Sequence, residues 1–371
     1  MTPTVQRIAL GTGIHTSKWL GETRAGQDLL AASRRANQRP RCMCVPDGVE
    51  MYVGRRGRVY YLSRMPGTGF LHADTCQSVE SASLLSGIHA YAPGAIVEQS
   101  DGLVSLSLDI ERQDRQAPPI TRVGLDGLLE TLVEQADLNR ISPTSAARTW
   151  MSVRDRLSEA ARWIQIGSKS LSPLLYLPER YDKEHGAASQ AACEAFITST
   201  QGQALLCAPL KDICCTTYSW KIGLKHLPGL RLWASKDVAN ELEHRWRAPG
   251  FTRPPRYALC LVAAKPGRRP GNFTVTNMAC LATDSNFFPC RTDREALIAS
   301  ELLAAGHSLL RPLRFDCEPS QVLADFAILD GDDPEPVFVL SPTGDEELDM
   351  AKRRLASVMQ RHQAPMKVFD A

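Results

Sequence analysis

The 371-residue chain holds no run of about 18 apolar residues, which excludes a membrane-spanning helix from the reading. Its start, Met1 to Leu10, has no apolar signal core, so no export signal is expected. Catalytic signatures are scarce. There is no Gly-x-Ser-x-Gly elbow and no His-Glu-x-x-His run, and the pair Gly11-x-Gly13 lacks both a phosphate-loop Lys-Ser/Thr and a dinucleotide fingerprint. Cofactors other than metals are therefore unsupported. The eleven cysteines follow no small-scaffold spacing, so without an export signal they read as cytoplasmic thiols and metal ligands rather than a disulfide framework. With 43% apolar and 23% charged residues, the chain has ample core for two or three globular domains.

What is present begins with Cys42-Met43-Cys44, then 27 residues, then His72-Ala73-Asp74-Thr75-Cys76. Cys42, Cys44, His72 and Cys76 make a Cys3His set, a usual inventory for structural zinc, and four protein ligands leave no open position for catalysis. Between them, Glu50 to Val53 and Val59 to Leu62 are rich in β-formers and flank a turn, Arg55-Arg56-Gly57-Arg58. A second turn at Pro66 to Gly69 brings His72 and Cys76 back to the first pair. A hairpin of this size buries too little to stand alone, and zinc would supply the missing stability.

Along the chain, Ile14 to Leu30 suggests one helix interrupted by glycines. Leu103 to Leu108 alternates as a strand. Leu125 to Ala136 sets Leu125, Leu128, Leu129, Leu132 and Val133 on one helical face. Ser142 is a candidate N-cap and Pro143 a candidate first residue for a helix carrying Trp150, Val153, Leu157 and Ala161. The two helices read as a plain helical hairpin or as a helix-turn-helix. Ala187 to Ser199 reads as a helix, Ala204 to Leu210 and Trp220 to Leu224 as strands, and Val238 to Trp246 as a helix. Tyr257 to Ala263 and Asn272 to Leu281 read as an antiparallel pair joined by a basic turn. The adjacent Cys214 and Cys215 read as buried thiols, and the solitary His226 as a hydrogen-bonded structural residue.

These motifs carry a resemblance. Cys-x-Cys, Gly48-Val49-x-Met51-Tyr52, Arg64 to Gly69 and His-x3-Cys are followed by Leu138-Asn139-Arg140 and Leu175 to Glu179. Lys225 to Pro228 with Leu232-Trp233, Leu310 to Phe315 and Ala324-Asp325-Phe326 complete the series. In this order, over about residues 35–360, they resemble an uncharacterised bacterial family classed as a domain of unknown function. It is found mainly on integrative and conjugative elements and plasmids, which implies protein partners from such elements.

The C-terminal part reads as helix (Asp293 to Ala305, with Glu295 and Glu301), strand (Leu323 to Leu329, with Asp325), acidic turn, strand (Val337 to Leu340) and amphipathic helix (Asp345 to Gln360). This order resembles restriction-endonuclease-like nucleases, in which carboxylates hold Mg²⁺ and a lysine orients the water. By position Glu301 and Asp325 match two of the acids. The second strand has neither the acid nor the Lys of that family, which implies an inactive relative.

Charge is locally uneven despite a net +2. From His244 to Thr283 there are seven Lys/Arg and no acid, and from Ala324 to Asp349 nine acids and no base. Basic patches suit a phosphate backbone, with Arg55, Arg56, Arg58, Arg268 and Arg269 as contacts. The expectation is an α+β cytoplasmic protein with DNA as partner and no membrane association. It has an N-terminal region with the zinc hairpin (1–119), a helical region (120–200) and a mixed α/β nuclease-like domain (201–371). The leading function is nucleic-acid binding without catalysis. A Mg²⁺-dependent nuclease and a zinc-stabilised protein-interaction scaffold are the alternatives.

Overall fold

The computed structural model describes residues 6–370 except 58, 65–71, 74–75, 79–83, 100–101, 112–118, 201, 237, 239–256, 318–321, 332, 343–345 and 362–365. Among the described residues the architecture is mixed α/β with four sheets. No described helix is long and apolar enough to cross a membrane.

Strands β1 (Arg7–Leu10), β2 (Gly13–Thr16), β3 (Arg41–Cys42), β4 (Val49–Arg56) and β5 (Val59–Arg64) form the first sheet, ordered β2-β1-β3-β4-β5. β4 and β5 are the hairpin expected from the sequence, and Gly57 between them takes φ +56, which a residue without Cβ adopts freely. In place of one helix over Ile14 to Leu30, the chain makes β2, then α1 (Ser17–Glu22) and α2 (Arg24–Arg35). Thr16 and Thr23 divide the run because each hydroxyl accepts an N–H at a helix start, from Trp19 and Gly26 respectively. Ile8, Leu10, Leu20, Leu30 and Met51 share one core, so the hairpin is embedded in a larger unit.

The second sheet holds β6 (Ile96–Glu98) and β7 (Val104–Leu106). Helix α3 (Leu125–Gln135) then buries the apolar face its periodicity requires. Strand β8 (Arg140–Ile141) follows, then α4 (Trp150–Arg162), and β9 (Ile164–Ile166) and β10 (Lys169–Ser170) return to this sheet. α4 begins at Trp150, not at Pro143. Thr149 and Ser152 satisfy each other's backbone N–H groups in a capping box, whereas Ser142 to Ser145 closes a turn. The intervening β8 joins the C-terminal sheet, so α3 and α4 are not joined by the short turn of a helix-turn-helix.

Next come β11 (Leu175–Tyr176), α5 (Gly186–Ser199), β12 (Ala204–Cys215), β13 (Ser219–Leu224), β14 (Leu232–Ser235), β15 (Tyr257–Pro266) and β16 (Phe273–Thr283). β12 serves two neighbours. Ala204 to Pro209 pairs with β15 and Leu210 to Cys215 with β13, with a register shift between Leu210 and Asp212. β13 pairs with β14, β14 runs parallel to β16, and β16 pairs with β15. The ring closes as β12-β13-β14-β16-β15-β12. Alternation along the strands sends Leu206, Ile222, Leu232, Val262 and Val275 inward. Leu205, Cys207, Leu259 and Leu261 point outward into the central core beside α3. Cys214 and Cys215 are exposed, correcting the expectation of buried thiols, because they end β12 beyond the barrel core. The expected Val238 to Trp246 helix falls largely outside the described residues.

The last layer runs α6 (Asp293–Ala304), β17 (Leu309–Leu310), β18 (Phe326–Ile328), β19 (Glu335–Leu340), α7 (Glu346–Arg361) and β20 (Lys367–Asp370). The β17–β18 and β18–β19 pairs are antiparallel and β19–β20 is parallel, giving the order β20-β19-β18-β17-β8. Between β17 and β18 the irregular run Arg311 to Cys317 is buried. Its backbone position is fixed by Asp316, whose carboxylate accepts N–H bonds from Gly124 (2.7 Å) and Gly127 (3.0 Å) at the start of α3. α3 has no side-chain cap from its own N-cap residue, and Asp316 supplies one from 189 residues away.

Candidate functional site

Cys42 ends β3, which pairs with β1 on one side and β4 on the other. Cys44 lies in the turn that follows, and His72 and Cys76 come after β5. The Sγ atoms of Cys42 and Cys76 are 3.5 Å apart, and His72 Nδ1 lies 3.4 Å from Cys44 Sγ and 3.5 Å from Cys76 Sγ. All four ligand atoms lie within 4.8 Å of one another. Zinc–sulfur bonds of about 2.3 Å make a tetrahedron with edges of about 3.8 Å, so the cluster is geometrically consistent with a structural zinc. A supporting shell surrounds it. Gln6 Nε2 donates to Cys42 Sγ (3.4 Å) and to Ser78 Oγ (2.7 Å), and the Ser78 N–H donates to Cys76 Sγ (3.4 Å). Such donors favour thiolate. The hydrogen bond between the two thiols lowers the Cys42 pKa and raises that of Cys76.

The arginines named for phosphate contact are not gathered in one place. Arg268 and Arg269 stand exposed in the β15–β16 turn. The Arg55 guanidinium instead lies 4.6 Å over the Trp163 ring, in an internal contact. Arg56 is on β4, and Arg58 lies outside the described residues. His226 stacks on Trp150 (5.6 Å between centroids) and accepts the Tyr181 N–H at Nδ1 (3.2 Å). Burial, then the charges of Lys225 and Arg180, depress its pKa to about 4, so the imidazole is neutral at pH 7.

Asp325 precedes β18 and is buried, but Glu301 is exposed on α6, and the structure does not bring the two together. The α6 acid that turns inward is Glu295. Thr292 caps the helix through the Glu295 N–H (3.1 Å), and Glu295 Oε2 accepts the Arg291 N–H (2.6 Å) and the Arg311 guanidinium (2.9 Å). Arg311 also donates to the Asp325 carbonyl (2.8 Å). Lys352 Nζ, reaching in from α7, lies 2.8 and 3.1 Å from the two Asp325 carboxylate oxygens, and Asp325 Oδ2 accepts the Val339 N–H (2.7 Å). Glu295, Arg311, Asp325 and Lys352 are exposed by only 1, 5, 2 and 2%. Two carboxylates thus meet two cations out of water.

Burial pushes the Glu295 carboxyl up, but Arg311, Lys352 and Arg291 outweigh it and hold it at about 2. Burial raises the Asp325 carboxyl, and Lys352 and Arg311 offset this only in part. Sequence reasoning named Asp325 and passed over its three partners. Two local signals point to them. Thr292-x-x-Glu295 is the sequence pattern of a capping box, which places Glu295 in the first helical turn, although its carboxylate takes the N–H of Arg291 rather than of Thr292. Lys352 interrupts the apolar stripe Leu348, Leu355, Met359, where a lysine has no reason to sit unless it is paired.

A family model described as "Protein of unknown function (DUF1173)" matches residues 14–370. No curated protein matches the chain, and no solved structure does.

Proposed function

We propose that this chain, which belongs to the DUF1173 family, binds nucleic acid as an accessory protein of a mobile genetic element and does not cut it. The basic closed barrel carries the reading. Its first strand is shared by its second and fourth, and its third runs parallel to its fifth. This is the strand order of the small Greek-key barrels that hold oligonucleotides and oligosaccharides. Charge separates those two ligand classes. Residues 204–236 and 257–283 carry eight Lys/Arg against one acid, Asp212. A phosphate polymer answers such a surface, and a neutral sugar does not. The link to conjugative elements and plasmids rests on the sequence resemblance.

A Mg²⁺-dependent nuclease is the second reading, favoured by the order helix, three antiparallel strands, helix, parallel strand around Asp325. That order resembles the restriction-endonuclease-like core. Against activity, Val337 and Val339 occupy the strand facing Asp325, where such enzymes place an acid and a lysine. The carboxylates are already matched by Arg311 and Lys352, which leaves little uncompensated charge for a cation that needs oxygen ligands. The network then serves as a charge-balanced core in a nuclease-like layer.

Retardation of DNA that fades with salt, with no cleavage in Mg²⁺ or Mn²⁺, is the expected result. Exchanging Arg268 and Arg269 together for Glu should weaken binding and flatten its log–log salt dependence by about 1.5 units. Salt-insensitive binding, or an unchanged slope in the double variant, counts against the reading. Cleavage that disappears in Asp325→Asn makes the protein an enzyme instead.

A further inference from the structure

Resting on that reading, we infer that the outer face of β13 and β14 holds a single nucleic-acid strand. Tyr218 and Trp233 stack on its bases, and Lys221, Arg268 and Arg269 meet its phosphates.

The barrel topology defines the track. The Thr216 to Tyr218 turn enters β13 at Ser219, which pairs with Ser235 at the end of β14. At the other end, β14 starts beside β16, where the Phe273 N–H donates to the Arg231 carbonyl (2.9 Å). The Gly267 to Gly271 turn immediately precedes that point. The two turns therefore stand at opposite ends of a strand pair about 20 Å long.

Alternation decides what faces outward. Ile222, Leu224, Leu232 and Ala234 fill the barrel, so Lys221 and Trp233, which pair across the two strands, lie on the outer side. The opposite wall of the barrel is already occupied, because the outward residues of β12 and β15 pack into the central core. Trp233 is half-buried and belongs to none of the described apolar clusters, and its indole N–H, itself buried, has no acceptor among the described residues. Tyr218 is 87% exposed at the turn tip. The single acid of the barrel, Asp212, is 3.8 Å from Lys211, which leaves the cations in excess.

Flat rings along a basic track suit unstacked bases, which only a single strand presents. A duplex keeps its bases stacked on each other and meets such a face through phosphates alone.

The test is fluorescence anisotropy of the full-length protein with a labelled oligothymidylate of about 15 nucleotides, a duplex of equal length, and poly-glutamate as competitor. The single strand should bind more tightly than the duplex. Tyr218→Ala should weaken the single strand about ten-fold with the salt slope unchanged, while Tyr218→Trp keeps wild-type affinity. Tyr218 touches no core, so the variant folds as the parent does. Equal or tighter duplex binding, full affinity in Tyr218→Ala, or displacement by poly-glutamate at matched charge overturns the inference. If Tyr218→Ala is silent but Arg268→Glu with Arg269→Glu abolishes binding, nucleic-acid binding stands and the stacked strand falls. No binding of either DNA at low salt removes both.

Discussion

Lys352→Met should lower the unfolding free energy by about 3–5 kcal/mol, read as a fall in the urea midpoint at unchanged slope. The substitution keeps the volume of the side chain but leaves the Asp325 carboxylate buried without its ion-pair partner, with the Val339 N–H and the nearby charge of Arg311 to answer it. An unpaired charge in a low-dielectric interior keeps its full desolvation penalty. The companion variant, Lys352→Met with Asp325→Asn, should recover most of the loss, because a buried pair replaced as a whole costs little. A single variant within about 0.5 kcal/mol of wild type would mean that water or a second anion compensates Asp325, and the buried network would be wrong. A double variant no better than the single would show that the coupling runs through Arg311 and Glu295 instead, whose ion pair is 2.9 Å long.

Removing zinc should have the second large effect. One equivalent of zinc is expected in the purified protein, and Cys76→Ser should lose it. Structural zinc sites contribute on the order of 10 kcal/mol to the folded state, so chelation should expose the amides of β3, β4 and β5 to hydrogen exchange. The C-terminal sheet is expected to keep its protection, because no ligand comes from it. The supporting core is small. Cys42 and Cys76 themselves belong to it, so losing the metal leaves that core with two unligated sulfurs and no metal bonds holding them together. Absence of zinc with all four ligands intact, or unchanged exchange after chelation, would leave the cluster as four packed soft side chains.

The metal ligands were legible because their chemistry is local. Cysteine and histidine at short spacings converge once the β4–β5 hairpin closes at Gly57, while the expected Pro66 to Gly69 turn lies outside the described residues. The helical faces and single strands were legible for the same reason, since periods of 3.6 and 2 are read within a dozen residues. The start of α4 was misplaced where two local signals competed. Pro143 suits a first helical turn, but the reciprocal Thr149–Ser152 cap satisfies two backbone donors at once.

The candidate acids show the limit from the other side. Glu295 and Glu301 lie on one helix and are equally plausible from composition. The choice was made by the cap at Thr292 and by Arg311, whose place depends on the buried run that follows β17. Lys352 meets Asp325 from a helix, so a search along the strands could not find it.

By itself the sequence determined the Cys3His set, the β4–β5 hairpin, the amphipathic helices and the excess of cations around Arg268 and Arg269. Tertiary structure alone decided that β12 bends between two partners to close a barrel, that β8 crosses from the helical region into the last sheet, and which cation meets which carboxylate. The physical reason is range. Capping, turns and alternation act over a few residues and leave a pattern in the chain, whereas Ala204 against Ala264 and Lys352 against Asp325 are pairings whose free energy appears only after the intervening chain has folded.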